Sequence, residues 1–225
     1  MNASYIDYVI KGILNVEGGF VNKKEDRGGP TKYGITIGTL SKWRKKKCTV
    51  QDVVDLTKEE AAKIYKTEFI EKPGFLSFGD EPLAEQLIDA GVNHGQTGAV
   101  KILQRALNLP DDGVIGPQTV AAVKALPYYV VYARFLSRRL RYYAAICDND
   151  PKQLVFAAGW MNRVAIVIRK YCQAVNAPDV YEDKLERVAK FLNSCADIIG
   201  KKKNDARAIV WFMEASQLAL DSLNA

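Results

Sequence analysis

One histidine, His94, serves the whole of a 225-residue chain, and the four cysteines, Cys48, Cys147, Cys172 and Cys195, lie far apart with no C-x-x-C pair. Zinc sites are assembled from closely spaced cysteine and histidine ligands, so this scarcity argues against one, and no metal or other cofactor is expected. The scattered thiols read as small buried apolar groups in a reducing compartment. No apolar run reaches the roughly 18 residues that a membrane span requires. The longest candidate, VFAAGWMNRVAIVI, is interrupted by Asn162 and Arg163, so no stable membrane insertion is expected. Asp7 and Lys11 break the apolar stretch that a Sec-type signal would need, which predicts synthesis in the cytoplasm without one. A glycine-rich phosphate loop, a helix-turn-helix signature and an RNP motif are missing too. Nucleic acid is therefore not the expected partner of a chain with net charge +6.

The charge is concentrated at Lys42–Lys47 (KWRKKK), Arg138–Arg141 (RRLR) and Lys201–Lys203. Such clusters suit either solvated helix faces or contact with a polyanionic surface, and bacterial envelopes are anionic. With 48% hydrophobic and 26% charged residues, the chain has the composition of an ordinary globular protein, long enough to bury one sizeable core or a core and a smaller unit. A monomer is expected.

Helical periodicity opens the chain. Ile6, Val9, Ile10, Ile13 and Leu14 recur at spacings of three and four, Ser4 and Asp7 have the spacing of a capping box, and Gly18-Gly19 suits a C-cap. Glu17 then falls on the last turn. Between Phe20 and Gly38 the helical period disappears, and Gly28, Gly29, Pro30 and Gly34 punctuate a stretch that predicts a small hairpin. Helices return around Leu40–Trp43 and after Thr57-x-x-Glu60, where Ala61, Ile64, Tyr65 and Phe69 form an apolar stripe. Further helices are predicted over Leu83–Asn93 and Thr97–Leu107, after Pro117, from Pro127 to Cys147, from Pro151 to Val175, and twice between Asp179 and Leu223. Tyr142, Tyr143, Phe156 and Trp160 are read as core. The fold class is mainly α with one small β element near the N-terminus.

The densest chemical signal is Glu17-Gly18-Gly19-Phe20-Val21-Asn22 followed by Asp26-Arg27-Gly28-Gly29-Pro30-Thr31-Lys32-Tyr33-Gly34-Ile35-Thr36. Here a carboxylate at a helix end faces a second one across a glycine-rich turn. Glycosidic cleavage needs an acid to protonate the leaving oxygen, and a second group to activate water or stabilise the positive charge that develops on the sugar. Glu17 and Asp26 suit the two roles. The C-terminal end of a helix carries partial negative charge, which disfavours ionisation of Glu17 and keeps it available as an acid. Asp26 ahead of glycines also has the pattern of a turn former.

The run VEGGFVNKKEDRGGPTKYGIT closely resembles the E-G-G-[YF]-x-N...D-x-G-G-x-T-x-x-G-I-T signature of the glycoside hydrolase 108 family of N-acetylmuramidases, found in phage endolysins and in some bacterial secretion systems. EEAAKIYKTEF, LIDAGVNHGQTGAVKILQRALN and DGVIGPQTVAAV follow in matching order, so the likeness covers about residues 5–170. The resemblance implies a lysozyme-like α+β fold and hydrolysis of the bond between N-acetylmuramic acid and N-acetylglucosamine in peptidoglycan, with Glu17 as catalytic acid. It also implies three parts: a catalytic core at 1–94, a helical predicted peptidoglycan-binding segment at 95–170, and an extension at 171–225 whose role it leaves open.

Phage lysozymes of another family use Glu-x8-Asp-x5-Thr. Glu17 and Asp26 keep the first interval, but Thr31 follows Asp26 after four intervening residues and Thr36 after nine, so both threonines are candidates for orienting the water. Tyr33 suits stacking on a sugar or filling the core. Asn93 suits binding a sugar amide or carbonyl, and His94 a surface or packing role. A glycine-rich turn between the carboxylates favours the wider separation of an inverting enzyme. Access to the wall would require a holin-type lesion or dedicated export. A lytic transglycosylase, which needs no water-activating carboxylate, and a wall-binding protein without catalysis are the competing classes. A cysteine peptidase built on Cys48 and His94 is disfavoured, since Cys48 follows KWRKKK instead of opening a strong helix.

Overall fold

Ile6, Val9, Ile10 and Leu14 are buried along one side of helix α1 (Ala3–Val16), as their spacing demands, and Lys11 and Gly12 face out. The helix begins at Ala3, so Ser4 lies inside its first turn and not at the N-cap that the capping-box spacing suggested. The computed structural model describes residues 3–16, 19–22, 29–174 and 186–190. Glu17, Asp26, the expected C-cap at Gly18 and almost all of the extension beyond 174 lie outside the described residues. The chain divides into two units, residues 1–96 and 97–225.

In the first unit the helical period gives way to a three-stranded antiparallel sheet of β1 (Phe20–Val21), β2 (Thr31–Lys32) and β3 (Ile35–Thr36), in that order. Helix α2 (Ile37–Arg44) leaves β3 directly. Its N-cap is Thr36, whose Oγ1 accepts from the Thr39 amide at 3.1 Å, so the helix starts earlier than its apolar pattern predicts. Thr49 and Asp52 form a capping box that opens α3 (Val50–Val54), a short helix the sequence reading missed. Thr57 caps α4 (Lys58–Ile64) through the Glu60 amide, as its spacing predicts. Arg44 ties the three helices together, reaching Asp52 at 2.9 Å and Glu60 at 2.6 Å.

The stripe after Thr57 does not continue as α-helix. Residues Tyr65–Glu71 form a π-helical segment, closed by a hydrogen bond that the Lys72 amide donates to the carbonyl of Thr67, five residues earlier. A 3-10 turn, Phe75–Phe78, leads to α5 (Glu81–His94), which Asp80 caps through the Leu83 amide at 2.7 Å. Leu83, Leu87 and Ile88 of α5 are buried, as are Phe75, Phe78, Ile64 and Ile70. Helix α1 packs on α4 and on the π-helical segment, and α5 packs on the π-helical segment and the 3-10 turn.

The second unit is helical. Helix α6 (Gln96–Ala106) carries buried Gln104, around which the LPDDGVIGPQT loop folds. Gln104 donates to Asp112 and to the Val114 carbonyl, and accepts from the Gly113 amide at 2.8 Å. Pro117 occupies the first turn of α7 (Pro117–Lys124), as predicted. The long α8 (Tyr128–Asn149) and α9 (Ala157–Ala174), joined through a 3-10 segment at Pro151–Phe156, share an apolar core with Leu136, Leu140, Met161, Val164 and Ile168 at its centre. Tyr132 stacks on Tyr171 with ring centres 3.7 Å apart, and Tyr143 on Trp160 at 4.7 Å. Phe156 corrects the expectation of a core residue: it is 53% exposed, because it closes the 3-10 segment before the buried face of α9 begins. Among the described residues no helix is long and apolar enough to cross a membrane.

Candidate active site

The sheet has two unlike faces, and its register assigns them. Phe20 pairs with Lys32 and Lys32 with Ile35, while Val21 pairs with Thr31 and Thr31 with Thr36. Directly opposed residues project from the same side of a sheet. One side therefore carries Ile35, which is completely buried, and holds the sheet to the core. The other carries Val21, Thr31 and Thr36, none of them buried. Strands of two residues cannot hold such a surface by ladder bonds alone, and contacts from outside the sheet supplement them. The Ile37 amide donates to the Pro30 carbonyl at 3.1 Å across the base of the hairpin, and the Lys32 ammonium donates to the Val54 carbonyl at the end of α3.

The turn between β2 and β3 is Tyr33-Gly34, with φ of 53° and 72°. Two successive left-handed residues are the mark of the tight hairpin turns whose twist matches that of the flanking strands. Glycine meets that demand freely, whereas a tyrosine held there costs on the order of 1–3 kcal/mol. Tyr65 is positioned to stabilise it: its side chain is completely buried at the head of the π-helical segment, and its hydroxyl donates to the Tyr33 carbonyl at 2.9 Å. The Tyr33 ring stays partly exposed, with the Lys32 ammonium 5.4 Å from its centre.

The hairpin thus gathers Thr31, Tyr33 and Thr36. The two threonines differ in what their hydroxyls do. Thr36 Oγ1 is engaged as the cap of α2 and lies 3.1 Å from Thr39 Oγ1. The Thr31 hydroxyl has no hydrogen-bond partner among the described residues and belongs to the middle strand. Asn93 sits apart from the hairpin in sequence, exposed in the last turn of α5, with its side-chain amide donating to the Asp89 carbonyl at 2.6 Å. His94 ends the same helix, partly buried. Tyr65 went unnoticed as a polar residue because it occupies a position of the apolar stripe. The available signal was general: a buried tyrosine hydroxyl needs a partner.

Electrostatics near the hairpin come from the Arg44 bridge. Hydrogen bonds from the Thr49 backbone and side chain, with Lys46 and Arg44 nearby, pull the Asp52 carboxyl down to about 2. The Arg44 guanidinium lowers Glu60 as well. Both carboxylates stay charged and serve the frame. No group of three or more His, Cys, Asp or Glu side chains placed to hold a metal ion occurs among the described residues.

Comparison with known proteins places this geometry. Residues 10–95 match the family Glycosyl hydrolase 108, and residues 98–165 match the family described as Predicted Peptidoglycan domain. A solved structure titled "Structure of Brucella abortus SagA" is similar at 29% identity and a TM-score of 0.67, over 80% of this chain and 99% of its own. No curated protein matches the chain.

Proposed function

We propose that this chain, whose residues 10–95 match the Glycosyl hydrolase 108 family and residues 98–165 the Predicted Peptidoglycan domain family, is a glycoside hydrolase acting on peptidoglycan, and in particular an endolysin-type muramidase cutting the β-1,4 bond between N-acetylmuramic acid and N-acetylglucosamine. The observation that carries the proposal is the two-faced hairpin. It presents an accessible side carrying Thr31 and Thr36, is anchored on its other side by the buried Ile35, and lies in the same stretch of sequence as both carboxylates.

Glu17 is the general acid in this reading. It follows directly on Val16, where the described part of α1 ends, and a carboxyl group at the negative end of a helix is disfavoured from ionising. Chain reach keeps it close: it stands four positions before Val21, a span of at most about 14 Å, and Val21 is the partner of Thr31. Asp26 activates the water from the loop between β1 and β2. Thr31 orients that water, since its hydroxyl has no hydrogen-bond partner among the described residues while that of Thr36 is engaged in capping. Proton transfer from Glu17 to the glycosidic oxygen accompanies attack of the water at the anomeric carbon, and inversion is the expected outcome. Tyr33 stacks on a sugar ring, and the exposed Asn93 side chain binds an amide or carbonyl of the glycan.

Residues 1–94 form the catalytic part in this proposal, 95–170 the wall-binding segment, and the protein acts as a monomer on the wall after a holin-type lesion or dedicated export. Product analysis on purified peptidoglycan tests the reading. The wild type should release muropeptides with reducing N-acetylmuramic acid ends. Glu17→Gln should lower the rate by about 10²–10⁴, the usual contribution of a positioned acid. Anhydro-muramoyl ends would replace hydrolysis by transglycosylation, reducing N-acetylglucosamine ends would reassign the bond, and an unchanged Glu17→Gln variant would remove the acid assignment.

A further inference from the structure

We propose that the hydroxyl of Tyr65 is a positioning group for catalysis, holding the Tyr33-Gly34 turn in its left-handed form and thereby fixing the surface on which Thr31 and the Tyr33 ring meet the glycan. The inference rests on the muramidase reading for the role of the hairpin, but the anchoring itself is a property of the fold.

The argument begins with a residue in a costly backbone conformation. Tyr33 has φ of 53° at the first position of a two-residue turn, where asparagine or glycine is the usual occupant. A non-glycine residue persists in that region only when its surroundings over-determine it, and such residues concentrate at working sites. Among the described residues the surroundings supply a few directional contacts. The Tyr65 hydroxyl reaches the Tyr33 carbonyl at 2.9 Å across 32 residues of sequence, and the Lys32 ammonium holds the neighbouring strand to the end of α3. The Tyr65 ring is completely buried and packs against Phe69 at 5.0 Å, so the phenol is rigid and its hydroxyl cannot swing away.

Tyr65 also begins the π-helical segment, an irregularity that frequently occurs at functional sites. That segment packs on α5, the helix that carries Asn93. One buried phenol therefore joins the hairpin to the element supporting the other proposed glycan contact. A tyrosine serving only to fill space would lose nothing on becoming phenylalanine. A positioning tyrosine would lose its single working atom.

Tyr65→Phe in the full chain separates the two. Expected is a kcat about tenfold lower on peptidoglycan with KM within about twofold, the size of effect that a slightly displaced reacting group produces. Amide hydrogen exchange over Lys32–Thr36 should accelerate about tenfold, while exchange in α4 and α5 stays unchanged. Adding Tyr33→Asn, which tolerates positive φ better, should restore both exchange protection and kcat, with a raised KM because the ring is lost. Unchanged hairpin exchange and kcat in Tyr65→Phe would overturn the proposal. So would exchange accelerated evenly through the first unit, or a double variant that recovers neither quantity. The exchange measurement does not depend on which bond is cut. If the wild type yields anhydro ends, the muramidase reading falls while the anchor is still confirmed or refuted by exchange.

Discussion

The hairpin around Thr31 and Thr36 and the pair of long helices α8 and α9 are held in place by opposite means. The hairpin has strands of two residues and one buried apolar side chain, Ile35, and a few directional contacts fix it: the Tyr65 hydroxyl, the Lys32 ammonium, the Pro30 carbonyl and the Thr36 cap. Helices α8 and α9 are held by area, with a dozen or more apolar side chains in one cluster and two stacked aromatic pairs. A surface that is to stay open to a glycan, as proposed for the hairpin, cannot also be buried, so stability there has to come from polar atoms acting at single points. A change of one atom should then alter rate in the first region, and a change of volume should alter stability in the second.

The largest expected contrast comes from Leu136→Ala. Leu136 is fully buried between α8 and its neighbours, and its truncation should destabilise the protein by about 2–5 kcal/mol. Calorimetry should show a lower Tm, with kcat per folded molecule unchanged well below it. An unshifted Tm would mean that the α8 and α9 core is not the stabilising element described here.

Thr31→Val gives the converse. It keeps the shape and β-propensity of a side chain in the middle strand, so Tm should move by less than a few degrees while kcat falls by about tenfold, less than the roughly 10²–10⁴ of a group that itself transfers the proton, as suits one that only orients the water. Thr36→Val should reverse the pattern, costing about 1 kcal/mol through the lost cap of α2. Equal kinetic effects from the two threonines would erase the distinction between them.

The smallest effect concerns acid. The Asp52 carboxyl is depressed from 3.8 to about 2 in the folded protein, chiefly by hydrogen bonds from Thr49. Its contribution to stability is therefore complete above the unfolded value near 4 and disappears as pH falls towards 2. Thr49→Val removes the side-chain part, so the acid unfolding midpoint, followed by circular dichroism, should move to slightly higher pH. A midpoint moving to lower pH would contradict the assignment.

Much of this was readable before folding. The apolar spacing of Ile6, Val9, Ile10 and Leu14, the Thr57 cap and the proline ahead of α7 are local signals, and local structure follows them. Loss of the helical period between Phe20 and Gly38, with its glycines, pointed to the hairpin. Other features could not be read in this way. The π-helical turn interrupts an apolar stripe that looks continuous, because the helix type depends on what the neighbouring elements accept. Phe156 has the composition of a core residue and lies outside the core, since burial is decided by direction and not by hydrophobicity.

What the sequence determined by itself was most of the described helices, the place of the small sheet, and the string from Glu17 to Thr36 on which the proposed chemistry rests, all of which depend on neighbours a few residues apart. Only the tertiary structure decided that Thr31 and Thr36 share a face while their hydroxyls do different work, and that Tyr65 reaches across 32 residues to hold Tyr33. Those relations depend on register and on contacts between distant segments, and no local pattern encodes which hydroxyl will find which carbonyl.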